Sequence, residues 1–478
     1  MPDAKAREVN VQSNEYQHHA EDGLPIPRRY WSVVGIWLAL TMAVLDGAIA
    51  NVALPVIARE LGASPAASVW VINAYQLTIT VLLLPLAALG DRIGYKCIYI
   101  PGLALFTLGS VGCAAGGTLD LLIAARVFQG IGAACIMSMN AALVRATYPA
   151  KMLGRGMGYN AMVISVAAAI GPTLAALILS IASWEWLFLI NLPVGITALA
   201  VGRKSLPEPQ GHGHPFDWAS ALLSAAMMGL IVFGAETSAR ESAPVGIAMI
   251  AAGIVAAVVL VWRERGEPRP LMPIDLLRIP IFSLSICTSI VSFAAQMLAY
   301  VAIPFLFQSV LGRSVFATGL LMTPWPIGVG IAAPFAGRLA DKVNSGLLGG
   351  IGLAIFAVGL FMLSRLGASP GDFDIGWRMA LCGLGFGIFQ SPNNRTIVSA
   401  APKPRSGAAG GMLATARLLG QTAGAVAVGV AFHLAGVRIT PTLLFAASIA
   451  AVVAAAISLL RLNVAPPSRV AVYRPILD

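Results

Sequence analysis

Fourteen apolar runs, each close to the length that crosses about 30 Å of hydrocarbon as a helix, divide this chain of 478 residues. They lie near 31–57, 67–89, 97–117, 119–144, 154–182, 186–202, 218–236, 245–262, 281–310, 316–336, 346–364, 378–400, 407–434 and 441–460. Only 11% of the residues are charged and 58% are hydrophobic, against about 25% charged in a soluble protein, so the soluble globular classes are excluded. The expected fold is an all-α polytopic membrane protein, because a segment in lipid must satisfy its backbone hydrogen bonds within itself.

Lys+Arg outnumber Asp+Glu by 31 to 21, a surplus that on a soluble domain would suggest nucleic acid. Its placement indicates otherwise. With the N-terminus in the cytoplasm, 22 basic residues fall in inside segments and 6 in outside segments, while Arg126, Arg395 and Arg417 fall within spans. That bias puts both termini inside and reads as membrane orientation, with the inner (plasma) membrane as the expected location and no nucleic-acid partner. Residues 1–30 are polar, with no short apolar core and cleavage site, and read as a cytoplasmic tail. The five cysteines form no C-x-x-C pair, so neither a disulfide nor a metal site is expected, and His212 and His214 sit in a solvated linker.

Two loops look like copies of one another: LGDRIGYK at 89–96 and GRLADKV at 337–343. Counted from the starts of the first and ninth spans at 31 and 281, Asp91 and Asp341 both stand at offset 60. The expected organisation is a cytoplasmic tail (1–30), a six-helix bundle (31–202), a linker with two extra helices (203–280), a second six-helix bundle (281–461) and a cytoplasmic tail (462–478). Parallel repeats of this kind build a transporter with a substrate path between the halves. There is no G-x-x-x-x-G-K-[ST] and no H-E-x-x-H, so neither a nucleotide-driven machine nor an enzyme is expected.

Five segments in order resemble the major facilitator superfamily, and within it the fourteen-helix drug:proton antiporter branch. LDGAIANVALP (45–55) is similar to the first-helix pattern L-D-x-T-x-x-N-V-A-L-P, with Ala48 for Thr. AALGDRIGYK (87–96) is similar to the gating loop G-x-L-x-D-R-x-G-R-K, with Ala87 and Tyr95 as departures. RVFQGIGAA (126–134) matches R-x-x-Q-G-x-G-A-A in full. Gly158, Gly171 and Pro172 fit the antiporter helix ending in G-P, though Ala167, Ala175 and Ala176 replace three of its glycines. WEWLFLINLPVG (184–195) differs from the family's W-R-W only at Glu185. The resemblance covers about 31–461 and implies proton transfer at the Arg126–Gln129 motif and gating at the 87–96 loop.

Asp46 is the one acid in the middle of any span, and a carboxylate at the bilayer centre costs about 2.5–3.5 kcal/mol on insertion scales. At 1.5 Å per residue, Asp46 stands roughly 22 Å and Arg126 roughly 20 Å from the inner edge, so a pair is expected. Protonation of Asp46 would then release Arg126 or Gln129 and the substrate; the alternative is an ion pair that merely ties two helices. One mid-membrane acid favours monovalent organic cations. Arg417, roughly 15 Å deep in its span, could attract an anion, counter a carboxylate or cap backbone carbonyls. Asn51 and Gln76 are candidate cavity residues.

Asp91, Arg92, Gly94 and Lys96, with Asp at the start of the third helix, read as a cytoplasmic latch repeated at Arg338, Asp341 and Lys342, or as plain positive anchors. Gly158, Gly171 and Pro172 allow close helix approach and a bend. The function expected is a proton-coupled antiporter that exports lipophilic, often cationic, drugs or toxic compounds by alternating access. It would use no cofactor or metal, draw on the proton gradient, and work as a monomer in the bilayer on a small molecule and protons. The alternatives are an exporter of one neutral or anionic metabolite and a non-transporting sensor or scaffold.

Overall fold

The computed structural model describes residues 23–149, 152–207, 217–240, 243–264, 274–340, 342–401 and 406–464. Among them the regular structure is all helical. The first set comprises α1 (Arg28–Glu60), α2 (Trp70–Ile93), α3 (Tyr95–Ala114), α4 (Leu119–Thr147), α5 (Leu153–Ile181) and α6 (Asn191–Ser205). A hairpin of α7 (Trp218–Arg240) and α8 (Ala243–Arg263) follows. The second set comprises α9 (Pro280–Phe305), α10 (Val315–Met322, continued by Pro324–Leu339), α11 (Ser345–Ser364), α12 (Asp372–Ala400), α13 (Ser406–Ala435) and α14 (Thr440–Leu460).

Polar caps begin several of these helices. The Ser314 hydroxyl accepts from the Ala317 amide at 3.1 Å and Asn344 Oδ1 from the Gly346 amide at 2.8 Å, satisfying donors that have no partner within the helix. Prolines stand inside α1, α2, α3, α5, α9, α10 and α12, as membrane helices tolerate when neighbours re-satisfy the backbone. Just after Pro304, α9 widens into a π-helical turn over Leu306–Val310, the kind of register change that a missing amide provokes.

Thirteen segments among the described residues are long and apolar enough to cross a membrane, and the chain is an all-α polytopic membrane protein. The expected span at 378–400 lies within the 29-residue α12 but is not one of the thirteen: Asp372, Asp374, Arg378 and the polar stretch 390–395 dilute its hydropathy. The sixth and tenth spans are not continuous helices either. Trp186–Leu189 precedes α6, and Thr323 separates the two parts of α10.

The two sets of six pack by one scheme. In the first, α1 packs on α5 and α6, α2 on α4, and α3 on α4 and α6; in the second, α9 packs on α13 and α14, α10 on α12, and α11 on α12 and α14. The sets meet along α5/α10, α2/α13 and α1/α9, and the hairpin lies against α2 and α13 through α7. There Met227, Met228 and Ala256 pack with Val81 and Leu419. Asp217, just before α7, accepts from Arg263 Nε and Nη2 at 3.2 and 3.1 Å, and this pairing, with help from Ser220, lowers its carboxyl to about 2.

The side-chain hydrogen bonds between the sets, among the described residues, lie in the middle and in the part of the bundle away from Arg28 and Leu460. Gln76 Nε2 donates to Gln421 Oε1 at 2.6 Å, Gln308 Nε2 to the Val52 carbonyl at 3.0 Å, and hydroxyl pairs form at Thr80–Thr422 (3.1 Å) and Thr173–Thr323 (2.6 Å). Gly410 stands eleven residues, three turns, before Gln421 on the same face of α13, and a Cβ built on it meets no atom of the described residues within 4 Å. The α2/α13 seam is thus bridged at Gln421 and Thr422, Leu418 is buried against first-set residues such as Tyr75 and Leu83, and Gly410, nearer the end that carries both termini, has room beside it.

Candidate functional site

Asp46 stands midway along α1, and Arg126 and Gln129 stand three residues apart on one face of α4. The structure brings all three together. Arg126 Nη1 donates to Asp46 Oδ2, and Oδ1 of the same carboxylate accepts from Gln129 Nε2 at 2.8 Å and Asn191 Nδ2 at 2.9 Å. Gln129 and Asn191 also reach Ser110 Oγ, at 2.8 and 3.3 Å. Arg126 Nε donates to the Val71 carbonyl at 2.9 Å and Nη1 to Gln129 Oε1 at 2.6 Å. Its guanidinium carbon lies 4.0 Å from the centre of the Tyr75 ring and 5.6 Å from that of Phe188, a cation–π placement.

The cluster is closed, with Asp46 2% and Arg126 0% exposed. One positive and one negative charge share it, each hydrogen-bonded, which is how a buried pair offsets its desolvation. Arg126 Nη2 alone has no acceptor among the described residues. Removing one charge from a buried pair costs about 3–5 kcal/mol, so a proton on Asp46 and the position of Arg126 are energetically linked.

Other residues singled out in the sequence lie elsewhere. Asn51 is buried, but its Nδ2 donates to Gly47 on its own helix at 2.8 Å. Gln76 bridges the two sets at Gln421 and does not face the Asp46 cluster as a free polar group. Gly171 packs on α1 so closely that an added Cβ would stand 2.5 Å from Ala48 Cβ, and Pro172 presents its carbonyl to Gly319 of α10. Gly158 lies on α5 toward the termini end. Arg417 is half-buried on α13, and its Nε has no hydrogen-bond partner among the described residues.

The loop at 87–96 departs from expectation. Asp91 does not open the third helix; it lies in the last turn of α2, exposed, and accepts from the Tyr95 hydroxyl at 2.9 Å. Gly94, at φ +97, makes the turn between the helices, a conformation that costs glycine little. Arg92 is exposed, Lys96 is partly buried and partnered, and in the second copy Arg338 and Lys342 are exposed, while Asp341 lies outside the described residues.

Asn191, Ser110, Tyr75 and Phe188 were not singled out by sequence reasoning. Asn191 and Phe188 lie in WEWLFLINLPVG, so that segment carried the signal, but nothing local tells which of its residues turns inward. Arg461, one of the 22 basic residues counted on the inside, is buried: Nη1 donates to Ser285 Oγ at 3.0 Å and Asn393 Oδ1 at 2.7 Å, and Nη2 to Ser458 Oγ.

The Major Facilitator Superfamily model matches residues 36–425 and 284–474. The transporter YebQ of Escherichia coli K12 is 52% identical over 92% of this chain and 97% of its own length. Multidrug resistance protein Stp of Mycobacterium tuberculosis is 31% identical over 83% of this chain and 75% of its own, and the riboflavin transporter RibZ of Clostridioides difficile is 29% identical over 82% and 86%. With these relatives and the helical architecture, the chain belongs to the major facilitator superfamily, in the branch that holds the multidrug resistance proteins, and is a transporter rather than an enzyme.

Proposed function

We propose that this transporter is a proton-coupled antiporter of the inner membrane that exports lipophilic small molecules, drugs and toxic compounds among them, by alternating access. The observation that carries the reading is the buried Asp46 carboxylate held by Arg126, Gln129 and Asn191. A carboxylate so placed has two states, charged and tied to Arg126 or neutral and released from it. Gradient energy enters as the difference between them. The side-chain hydrogen bonds between the sets lie in the middle and away from the termini, which supports loading from the termini side, read as cytoplasmic from the 22 to 6 distribution of basic residues. Both sets of helices belong to one chain, so a monomer suffices, and protons supply the drive with no cofactor.

Cationic cargo competes directly with a proton for Asp46, but it must first displace three donors. Inverted membrane vesicles test the coupling. A proton gradient is imposed, lipophilic compounds of each charge are added, and dissipation is followed in wild type and Asp46→Asn. Cargo-dependent dissipation lost in Asp46→Asn supports the reading; dissipation indifferent to Asp46 removes it.

A further inference from the structure

Arg417 is the exception among the buried and half-buried arginines of this bundle. Arg126 is paired with Asp46, Arg378 with Asp374 at 2.8 Å, and Arg461 with Ser285, Asn393 and Ser458. Arg417 has no ion pair, hydrogen bond or ring contact with any described residue, and its Nε is buried without an acceptor. A guanidinium carries five donors, and the one at Nε is left unmet where it is buried in the bundle, which is costly.

Its place in the fold explains where the acceptor belongs. Arg417 stands eleven residues into α13, roughly 16 Å along it. Gln421, one turn further, shares its face and closes the seam against Gln76, while Gly410, two turns back on that face, borders open space. Arg417 thus sits on the face of α13 turned to the first set, one turn from the Gln76–Gln421 bridge on the side of the termini. The charge balance points the same way: Asp46 is already compensated by Arg126, and the Arg417 charge is left without a partner among the described residues.

We propose that Arg417 is the cargo-binding residue for an acidic group, and that the cargo is a lipophilic organic anion, a carboxylate or sulfonate with an apolar body. This rests on the export reading above and reverses the cation preference expected from the sequence. The planar guanidinium matches a two-oxygen anion by two parallel hydrogen bonds. In a one-for-one exchange, an anion leaving and a proton entering both move charge in the direction favoured by a negative interior, so the membrane potential alone drives transport. Exchange of one monovalent cation for one proton moves no net charge.

Purified protein in proteoliposomes tests this with three probes of matched size: an aryl sulfonate, its uncharged sulfonamide and an aryl quaternary ammonium. Flux is read under a proton gradient and under a potassium–valinomycin potential alone. The expected result is sulfonate flux under either force, with the sulfonate-to-sulfonamide ratio falling about tenfold or more in Arg417→Gln and recovering only in part in Arg417→Lys, which keeps the charge but not the paired donors. Monodispersity by size-exclusion chromatography establishes that the variants are folded. Flux of the ammonium without the sulfonate, or an Arg417→Gln loss that leaves the ratio unchanged, overturns the proposal and leaves the export reading standing. If wild type moves none of the three, the export reading itself fails, and the inference with it.

Discussion

Asp46 of α1 and Arg126 of α4 form one buried ion pair, their side chains 1% and 0% exposed. Two residues beyond Asp46, Ala48 packs against Gly171 of α5; the next residue, Pro172, turns its carbonyl to Gly319 of α10. Six residues beyond Asp46, the Val52 carbonyl accepts from Gln308 of the second set. The proton-titratable centre therefore lies on the same helix that hydrogen-bonds the second set through Val52.

Asp46→Asn is expected to abolish proton-coupled flux and to lower stability by about 3–5 kcal/mol, because Arg126 is left as an unpaired buried charge. Arg126→Gln alone is expected to cost a similar amount. The double variant, with neutral groups at both positions, is expected to regain most of the stability and none of the coupling. Thermal unfolding in detergent, compared across the four proteins, measures this; additive losses in the double variant would show that the two residues do not act as a pair.

Asn191→Ala removes a donor to a buried carboxylate, and hydrogen bonds to charged groups contribute about 1.5–3 kcal/mol. Asn51→Ala removes only a bond to its own helix, with Oδ1 already unpartnered, and is expected to cost less than about 1 kcal/mol. The two variants, compared by unfolding and by flux, separate a member of the site from a neighbour. Equal effects would place Asn191 outside it.

Asp46, Arg126 and Gln129 were legible in the sequence because charge inside an apolar run is rare and a run fixes depth. Depth along two helices made the pair expected; which faces met had to come from packing. Asn191 illustrates the limit, since an asparagine at a helix start has many local uses and its reach to Asp46 spans 145 residues. Arg461 shows the same limit in reverse. A basic residue at the end of a span fits the orientation rule, and only the fold reveals Ser285 and Asn393 turned toward it. Asp91 was displaced from its expected place because hydropathy ends a run before the helix itself ends: α2 continues to Ile93.

Gly319→Leu tests the α5/α10 seam. A Cβ there would stand 2.3 Å from Ala176 Cβ and 2.6 Å from the Pro172 carbonyl, distances that require the helices to part. Flux is expected to fall at least tenfold while the protein remains folded, since the clash lies between the two sets and not within either. Gly376→Leu, where an added Cβ meets nothing within 4 Å, is the control and is expected to leave flux unchanged. Wild-type flux in Gly319→Leu would mean that this contact plays no part in the cycle.

Thr80 and Thr422 meet across the α2/α13 seam with their hydroxyl oxygens 3.1 Å apart, buried on both sides. Cysteine sulfurs in place of those oxygens would need to close by only about 1 Å to reach the disulfide length of about 2.05 Å. In a variant with the five native cysteines replaced by serine or alanine, Thr80→Cys with Thr422→Cys is expected to oxidise readily and to stop adding maleimide-polyethylene glycol mass. If this seam opens during transport, the cross-link holds its closed arrangement, flux stops, and dithiothreitol restores it. A fully cross-linked protein that still transports would show that the seam stays shut throughout, and would place the moving surface at α5/α10 and α1/α9 instead.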